Sequence, residues 1–326
     1  MTLAQASGRT FDYYKTVGKG SPGGPGFRYP VDLAFGSNGL VYVINRGSEG
    51  EPSGRASMFT EDEVFIKDFG RQGDGEGEFV WASSVAVDKD GTVYVSDEWL
   101  NRILIFDKDG TYEGTWGEYG CGEGQFNGIA SVTFNEDDEI YITDDKNHRV
   151  QKFTKTGKFL MTFGNKGTGE GEFLNPWGIT VDGKGFVYVA DWGNNRIQKF
   201  DDKGGYISTF GGDGNGEGAL KLPSDVAVDS DGDVYVADWG NRKLRVYSSD
   251  TTPLVSFAGN ADKLSKWAQE AYDVNPDTKT EREMVTDLKP EQWFYSPTAV
   301  ELGGHGTIWV VEDRRWRIQV YRKLKN

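Results

Sequence analysis

Apolar and polar residues alternate in short runs along most of the chain, and this period predicts β-strands. Two such runs, Asp225-Val-Ala-Val-Asp229 and Asp233-Val-Tyr-Val-Ala237, flank the turn Ser230-Asp-Gly232 and predict a β-hairpin. A third run follows at Lys243–Tyr247, and a fourth type of run, such as Tyr206-Ile-Ser-Thr-Phe210, ends in glycine. The pattern therefore predicts units of four antiparallel strands.

This unit recurs along the chain with a fixed length. Its second strand carries an aromatic residue, which stands at Tyr42, Tyr94, Tyr141, Tyr188, Tyr235 and Trp309. The steps between these residues are 52, 47, 47, 47 and 74, so the repeat is 47 residues and the two longer steps contain insertions. Four strands in each repeat of this length are typical of β-propeller blades.

The number of predicted strands is the number that a closed ring of six blades needs. The sixth unit, Thr298 to Tyr321, has only three strands, and the missing fourth strand is predicted near the N-terminus. Tyr13-Tyr-Lys-Thr-Val-Gly18 matches the fourth strands Tyr112–Gly117 and Phe159–Gly164 in register. We predict a single all-β domain over 1–326, a six-bladed β-propeller of four-stranded antiparallel blades whose first strand closes the last blade.

One repeat carries a resemblance to a known family. It reads Gly167-Thr-Gly-Glu-Gly-Glu-Phe173, Pro176-Trp-Gly-Ile-Thr-Val-Asp182, Val187-Tyr-Val-Ala-Asp191 and Asn195-Arg-Ile-Gln-Lys-Phe200, which resembles NHL repeats. The resemblance implies a six-bladed propeller. It implies no single function, because the family includes peptidyl-hydroxyglycine amidating lyases as well as NHL interaction domains, and this fold carries many chemistries.

The composition of the chain excludes several classes of binding partner and of covalent structure. The 51 acidic and 36 basic residues leave a net charge of -15, which argues against nucleic acid and anionic membranes as partners. No apolar run is long enough to span a membrane. The single cysteine, Cys121, excludes a disulfide within the chain. The start, Met1 to Ser7, has neither the basic flank nor the apolar core of a signal peptide, so we expect a cytoplasmic location unless a leader has already been removed. We also expect a monomer.

The two histidines limit metal chemistry. Amidating lyases, which the chain resembles, hold zinc through three histidines, whereas this chain has only His148 and His305. Zinc is therefore not expected. His148 falls in a loop at the predicted top rim, where it is a candidate acid or base. His305 stands in a turn on the opposite face, where other units have Asn38 or Asp231.

The predicted top face carries both insertions. Strand direction alternates within a blade, so the loops after each second strand and the connections between blades share this face. The smaller insertion is Gly47 to Gly54 and the larger spans 260–291. The larger one is predicted to be helical, with Leu264, Trp267, Ala268, Ala271 and Tyr272 on one face, then a capping box at Thr280–Glu283 and an end at Pro290. It is interpreted as a lid over the channel or as a decoration packed on the rim.

Aromatic and basic side chains also gather on the top face. The candidate ligand-binding residues are Tyr29, Arg46, Trp81, Trp99, Trp177, Trp192, Trp239, Trp293 and Arg314. Trp192 and Trp239 occupy equivalent positions, so a role as wedges between blades is the alternative for that pair. A cleft walled by aromatic residues suits an apolar, ring-containing or sugar-like ligand.

Carboxylates break the repeat where the innermost strands meet the channel. Near the start of these strands the equivalent positions are Asp32, Ser84, Ser131, Gly178, Asp225 and Ala299. Two residues further on they are Ala34, Ala86, Thr133, Thr180, Ala227 and Glu301. Asp32, Asp225 and Glu301 are therefore candidates for catalysis together with His148. Asp32 and Asp225 are also candidate ligands for calcium or magnesium. A water-filled channel without metal is the alternative.

A second polar set repeats in almost every blade. Its pairs are Asp97/Arg102, Asp144/Arg149, Asp191/Arg196, Asp238/Lys243 and Glu312/Arg317. Repetition at one spacing indicates ion pairs that fix loops and not a catalytic relay.

The sequence thus predicts a propeller that binds a small molecule or short peptide at the central mouth of its top face, with hydrolysis or elimination as the chemistry to be tested. One alternative is a non-catalytic protein-interaction or sensor propeller. A second is a lactonase-like hydrolase that depends on a divalent metal.

Overall fold

The fold is built almost entirely from short strands. We analysed a computed structural model that describes residues 2–36, 39–48, 50, 52–212, 214 and 216–324. The strands are β1 (Thr2–Ala6), β2 (Arg9–Val17), β3 (Pro30–Phe35), β4 (Leu40–Asn45), β5 (Arg55–Thr60), β6 (Phe65–Phe69), β7 (Arg71–Gln72), β8 (Glu78–Phe79), β9 (Ala82–Val87), β10 (Val93–Asp97), β11 (Arg102–Phe106), β12 (Tyr112–Trp116), β13 (Ile129–Phe134), β14 (Glu139–Asp144), β15 (Arg149–Thr154), β16 (Phe159–Phe163), β17 (Pro176–Val181), β18 (Val187–Asp191), β19 (Arg196–Phe200), β20 (Tyr206–Gly211), β21 (Pro223–Val228), β22 (Val234–Asp238), β23 (Lys243–Tyr247), β24 (Pro253–Phe257), β25 (Pro297–Gly303), β26 (Thr307–Glu312) and β27 (Arg317–Leu324).

These strands form the six blades of a β-propeller. Blades 1 to 5 are the antiparallel sheets β3 to β6, β9 to β12, β13 to β16, β17 to β20 and β21 to β24. Blade 6 has the order β25-β26-β27-β2-β1, and the two short strands β7 and β8 pair separately between blades 1 and 2. The predicted fold class is confirmed. The additional outer strand β1 was not predicted from the sequence.

The N-terminal segment closes the ring as predicted. Strand β2 pairs with β27 in antiparallel register from Thr10↔Leu324 to Val17↔Ile318. Charged side chains add contacts to the neighbouring blade 5, since Arg9 binds both carboxylate oxygens of Asp233 at 2.7 Å. Both ends of the chain are thus tied into one sheet, which removes two exposed strand edges.

The core lies between the blades. The aromatic residue of each second strand is almost completely buried, in every case at most 4% exposed. Each such side chain removes roughly 150–250 Å² of apolar surface from water. The hydroxyl groups find partners at the edge of this core, as when Tyr42 donates to the carbonyl oxygen of Lys108 in blade 2. The repeat therefore specifies the packing of blade on blade.

The larger insertion contains the helices α1 (Lys266–Val274), α2 (Pro276–Glu283) and α3 (Lys289–Gln292). Ser265 caps α1 by accepting a hydrogen bond from the amide of Ala268 at 3.1 Å. The predicted capping box is wrong, because Thr280–Glu283 lies at the end of α2 and not at the start of a helix. Pro290 is likewise inside α3, near its first turn, where a proline costs no hydrogen bond.

Helix α1 packs against the outer edge of the ring, between blades 6 and 1. Trp267 contacts Phe27 and Phe59, with ring centroids 5.8 and 5.3 Å away, and its indole donates to the carbonyl oxygen of Glu63 at 2.9 Å. These contacts are those of a rim element and give the lid interpretation no support. In the smaller insertion, residues 49 and 51 lie outside the described residues, as does Asn38. No helix in the described ranges is long and apolar enough to cross a membrane.

Candidate functional site

The repeated ion pairs fix the loops of the top face. The carboxylates of Asp144, Asp191 and Glu312 are buried and accept hydrogen bonds from Arg149, Arg196 and Arg317 at 2.6 to 2.8 Å. The same arginines also bind carbonyl oxygens of the glycine-rich connections, as Arg196 does at Gly169 and Glu172. Their role is architectural, as the sequence analysis inferred.

Two of the predicted pairs form differently. Asp238 pairs with Arg245 at 2.8 Å and not with Lys243. Asp97 instead accepts backbone amide hydrogen bonds, among them one from Val80 at 2.8 Å. The side chain of Arg102 binds backbone carbonyl oxygens, including that of Glu78 at 2.9 Å. The buried carboxylate at this position of the repeat therefore receives its hydrogen bonds from different donors in different blades.

The innermost strand of each blade has one edge that pairs with no other strand. Along this edge, backbone amides at one level of the channel need acceptors. Side-chain acceptors bind the amides of Leu33, Val85, Val132, Val226 and Val300, and Ile179 is the equivalent residue of blade 4. The residues one position earlier form what we call the channel ring, namely Asp32, Ser84, Ser131, Gly178, Asp225 and Ala299.

Asp32 caps the inner edges of two blades. Its Oδ1 accepts from the amide of Leu33 in its own blade at 2.8 Å, and its Oδ2 accepts from Val85 in blade 2 at 2.9 Å. Blade 6 offers only Ala299 at the position that would cap Leu33, so Asp32 serves both amides. Burial raises the pKa of Asp32 to about 6, although these hydrogen bonds and one with Ser84 act in the opposite direction.

Asp225 plays the same part on the other side of blade 6. Its Oδ2 accepts from the amide of Val300 at 2.9 Å, and its carboxylate also binds the amide of Val226. Gly178 of blade 4 provides no acceptor, and a Cβ there would lie 2.5 Å from the Cα of Asp225 and 2.7 Å from the carbonyl oxygen of Ser224. Burial and the negative charge of Asp32 raise the pKa of Asp225 well above its usual range.

Glu301 remains without such a role. Among the residues that the structure describes, its carboxylate accepts only from the amide of the next residue, Leu302, which donates to Oε1 at 3.2 Å. Burial raises its pKa to about 7, with a further contribution from the charge of Asp32. A carboxylic acid with this pKa is partly protonated at neutral pH, which is the property required of a general acid or base.

The three carboxylates line a narrow cavity in the channel of about 190 Å³. This volume holds water molecules or an ion but is smaller than the usual pocket for a drug-sized ligand. In the described part of the chain no group of three or more His, Cys, Asp or Glu side chains is arranged to hold a metal ion. Asp32 and Asp225 thus stand in the structure as acceptors for amides, and their proposed role as calcium or magnesium ligands gains no support from this geometry.

His148 also has an architectural partner. Its Nδ1 accepts from the amide of Asn175 in blade 4 at 3.1 Å. At the equivalent positions, Asn101 and Asn195 use their side-chain oxygens in the same way, accepting from Gly128 at 2.6 Å and Leu222 at 2.7 Å. Burial, together with the charge of Lys166, lowers the pKa of His148, which keeps its ring neutral and able to accept. His305 lies on the bottom face and lines a cavity of about 1140 Å³ between blades 5 and 6.

The top mouth of the channel is bordered by the residue that directly follows each second strand. We call these six residues the mouth ring: Arg46, Glu98, Asp145, Trp192, Trp239 and Asp313. In several blades the backbone holds this residue against the start of the innermost strand, as when the amide of Glu98 donates to the carbonyl oxygen of Trp81 at 3.0 Å. The ring is divided, because charged residues occupy blades 6, 1, 2 and 3 and tryptophans occupy blades 4 and 5.

The charged part contains linked ion pairs. Arg46 lies 3.7 Å from Glu98 and stacks on Trp81, with its guanidinium carbon 4.8 Å from the ring centroid. Lys146 lies 3.8 Å from the same Glu98, and Arg314 lies 3.7 Å from Asp313. Asp145, a residue that sequence reasoning missed, is only 5% exposed. Its position directly after the repeated acidic residue was the available signal.

The aromatic part is formed by three tryptophans. Trp192 lies beside Trp177, with ring centroids 6.5 Å apart and planes tilted by 37°. Trp239 is 40% exposed, and its indole donates to the hydroxyl of Ser296 at 2.7 Å. Trp192 and Trp239 thus keep surface at the mouth and are not completely buried wedges.

Other predicted ligand-binding residues lie further from the mouth ring. Tyr29 packs edge-on against Trp316 at 6.1 Å, at the junction of blades 6 and 1. Trp99 is 72% exposed and comes one residue after the ring position in blade 2, while Trp293 lies in the connection before blade 6 and is 54% exposed. The structure therefore brings Arg46, Trp81, Trp177, Trp192 and Trp239 to the mouth, with Arg314 at its edge.

Comparison with known families identifies the repeat. The model of the NHL repeat matches residues 126–153, 173–200 and 220–247. The protein contains NHL repeats. The matched NHL repeats coincide with blades 3, 4 and 5, which present Asp145, Trp192 and Trp239 at the mouth. A search of curated proteins finds no match.

Solved structures share the propeller at low sequence identity. A Bacteroides thetaiotaomicron protein of unknown function is 18% identical and superposes with a TM-score of 0.66 over 97% of this chain and 76% of its own. Virginiamycin B lyase from Staphylococcus aureus is 14% identical, with a TM-score of 0.60 over 96% and 100%. A gluconolactonase from Xanthomonas campestris is 13% identical, with a TM-score of 0.62 over 98% and 92%. At these identities the likeness of this propeller to the three structures concerns the fold.

Proposed function

We propose that this propeller binds a small molecule or a short peptide at its top mouth, between the charged and the aromatic parts of the mouth ring. The observation that carries the proposal is the sorting of residues around this ring. A structural repeat would place similar residues at six equivalent positions, as it does for the buried aromatic residues of the second strands. The mouth instead has charged groups on four consecutive blades and tryptophans on the other two.

The chemistry of the mouth supports a ligand with both polar and flat apolar parts. Trp177, Trp192 and Trp239 provide aromatic surface, which gives large contact area at low cost in conformational entropy. Glu98, Asp145 and Asp313 provide acceptors. Many ligand sites combine apolar walls with a few polar groups in this way.

The comparisons are compatible with chemistry on the bound ligand. Two of the similar folds belong to a lyase and a gluconolactonase. Within this chain, Glu301 is the channel carboxylate whose pKa, raised to about 7, suits proton transfer at neutral pH. We propose Glu301 as the first residue to test if a bound ligand proves to be hydrolysed or cleaved by elimination.

The binding proposal is tested by screening small molecules and short peptides against the protein with thermal shift and tryptophan fluorescence. For a ligand at the mouth, Trp239→Ala is expected to weaken binding about tenfold, since it removes one aromatic wall. Tyr119→Ala is the matched control, because Tyr119 is 69% exposed in the connection between blades 2 and 3. Hits that bind both variants as tightly as the unaltered protein would contradict a site at the mouth.

The same experiment separates the alternative functions. Incubation of confirmed hits with the protein, followed by mass spectrometry, detects hydrolysis or elimination. If only folded proteins bind, and Trp239→Ala weakens them, the mouth is an interaction surface of the non-catalytic kind.

A further inference from the structure

Asp145 differs from the other acidic residues of the mouth ring in its lack of a positive partner. Glu98 has Arg46 and Lys146 within 4 Å, and Asp313 has Arg314. Asp145 forms no ion pair with any residue that the structure describes. Its side-chain partner is neutral: the side-chain amide of Asn175 donates to Oδ1 at 2.8 Å.

Burial makes this arrangement costly. Asp145 is only 5% exposed, and a buried carboxylate is normally paired with a cation or satisfied by several donors. Burial and the neighbouring charge of Glu98 raise its pKa to about 6, while Asn175 and Lys146 lower it. Asp145 is therefore mostly ionised at neutral pH but lacks the partner that such a charge requires.

The neighbouring blade places aromatic surface beside this carboxylate. Asn175, which binds Asp145, stands two residues before Trp177, and Trp177 packs against Trp192. The junction between blades 3 and 4 is held by two further hydrogen bonds. The hydroxyl of Thr143 donates to the carbonyl oxygen of Trp177 at 2.5 Å, and the amide of Asn175 donates to His148. These bonds hold the carboxylate of Asp145 and the backbone of Trp177 in a fixed relation before any ligand arrives.

We propose that Asp145 binds the ammonium group of a cationic organic ligand whose flat apolar part lies against Trp177 and Trp192. The inference rests on the proposed binding function of the mouth and adds the class of ligand. An ammonium group would supply the charge-assisted hydrogen bond that Asp145 lacks. Indole faces attract cations as well as apolar groups, so both parts of such a ligand find a matching surface.

The net charge of the protein favours a cationic ligand over an anionic one. A net charge of -15 attracts cations toward the surface and repels anions. The positive groups of the mouth are already engaged, since Arg46 lies against Glu98 and Trp81 and also donates to the carbonyl oxygen of Ala82 at 3.0 Å. An anionic ligand would have to compete with these contacts, whereas a cation meets a carboxylate that has only a neutral side-chain partner among the described residues.

Three probes of similar shape test the proposal by calorimetry at neutral pH: 2-phenylethylammonium chloride, 2-phenylethanol and sodium 3-phenylpropanoate. We expect the ammonium to bind about tenfold more tightly than the alcohol, and the carboxylate to bind more weakly than either. Asp145→Asn is expected to bring the ammonium down to the affinity of the alcohol. Asp137→Asn is the matched control, because it changes the charge by the same amount at an exposed residue in the turn between β13 and β14.

Trp192→Ala keeps the test valid if Asp145→Asn loses stability. This variant is expected to weaken the ammonium and the alcohol by a similar factor and to preserve the ratio between them. Equal binding of ammonium and alcohol by the unaltered protein, or a preference that survives in Asp145→Asn, would overturn the proposal. If the unaltered protein binds ammonium and alcohol equally, weaker binding of both probes by Trp192→Ala would still support a site at the mouth. The proposal of a cationic ligand can therefore fail while the proposal of a binding site at the mouth stands.

Discussion

The channel ring and the mouth ring both break the repeat, yet the structure explains only one of them as architecture. In the channel ring, Asp32 and Asp225 stand next to blades that have Ala299 and Gly178 at the capping position. Each carboxylate therefore accepts amides from two blades. In the mouth ring, Asp145 has no cationic partner among the described residues, and Trp239 stays 40% exposed although its indole donates to Ser296.

This contrast shows that an unusual residue in a repeat is not by itself a sign of function. What distinguishes the two rings is whether the hydrogen bonds and charges of the unusual residue are satisfied within the fold. Buried polar groups are nearly always paired. A residue that breaks the repeat and is fully paired is explained by the fold, whereas one that lacks a partner points to a ligand.

The largest effect is expected at the close contact within the channel ring. Gly178→Ala would place a Cβ against the backbone of Asp225 and the carbonyl oxygen of Ser224, so the two inner strands must separate. We expect a loss of about 3 kcal/mol in the free energy of unfolding, measured by urea denaturation. The control is Gly183→Ala in the same blade, where a Cβ meets open space. A Gly178→Ala variant as stable as this control would refute the close approach.

A smaller effect is expected from removal of a capping carboxylate. Asp225→Ala leaves the amides of Val226 and Val300 without their acceptor, at a cost of about 2 kcal/mol in unfolding free energy. Glu301→Ala removes only a bond to the adjacent amide and is expected to cost less than about 0.5 kcal/mol. Equal losses in the two variants would show that capping does not explain the channel ring.

The pH dependence of stability is expected to report Glu301. The folded protein holds this proton more tightly than the unfolded chain, because the pKa rises from an ordinary value of 4.5 to about 7. The free energy of unfolding should therefore fall as the pH rises through this range. Glu301→Gln is expected to reduce the fall, which shows as a smaller difference in melting temperature between pH 5 and pH 8. An unchanged difference would mean that Glu301 has an ordinary pKa.

The smallest effect is expected from metal removal. Both oxygens of Asp32 already bind amides, so EDTA is expected to change the melting temperature by less than a degree, and elemental analysis to find no stoichiometric calcium or magnesium. Bound metal that is lost in an Asp32→Asn, Asp225→Asn double variant would show that the channel ring also binds a ligand and is not explained by architecture alone. It would also favour the lactonase-like alternative.

The strands could be predicted from the sequence, whereas the contacts of individual side chains could be predicted less well. The spacing of the second-strand aromatic residues predicted six blades, and the match of Tyr13–Gly18 to other fourth strands predicted the closure. The sequence pattern paired Asp238 with Lys243, although Arg245 is the partner. The pattern also predicted that a helix begins at Thr280, where α2 is already ending. Strand alternation predicts which residues share a face of a strand, but it does not decide which of two nearby cations, five or seven residues after Asp238, binds the carboxylate.

The sequence by itself determined the ring of blades, because alternating apolar residues, turn glycines and a 47-residue period leave few other ways to bury the same surface. It also showed which positions depart from the repeat. Only the tertiary structure decided what those departures mean. Whether Asp32 caps an amide or Asp145 lacks a cation depends on the adjacent blade: Val85 lies 53 positions from Asp32 in the chain, and Asn175 lies 30 positions from Asp145. Burial and hydrogen bonding across that junction set the charge state, and these are properties of the folded ring.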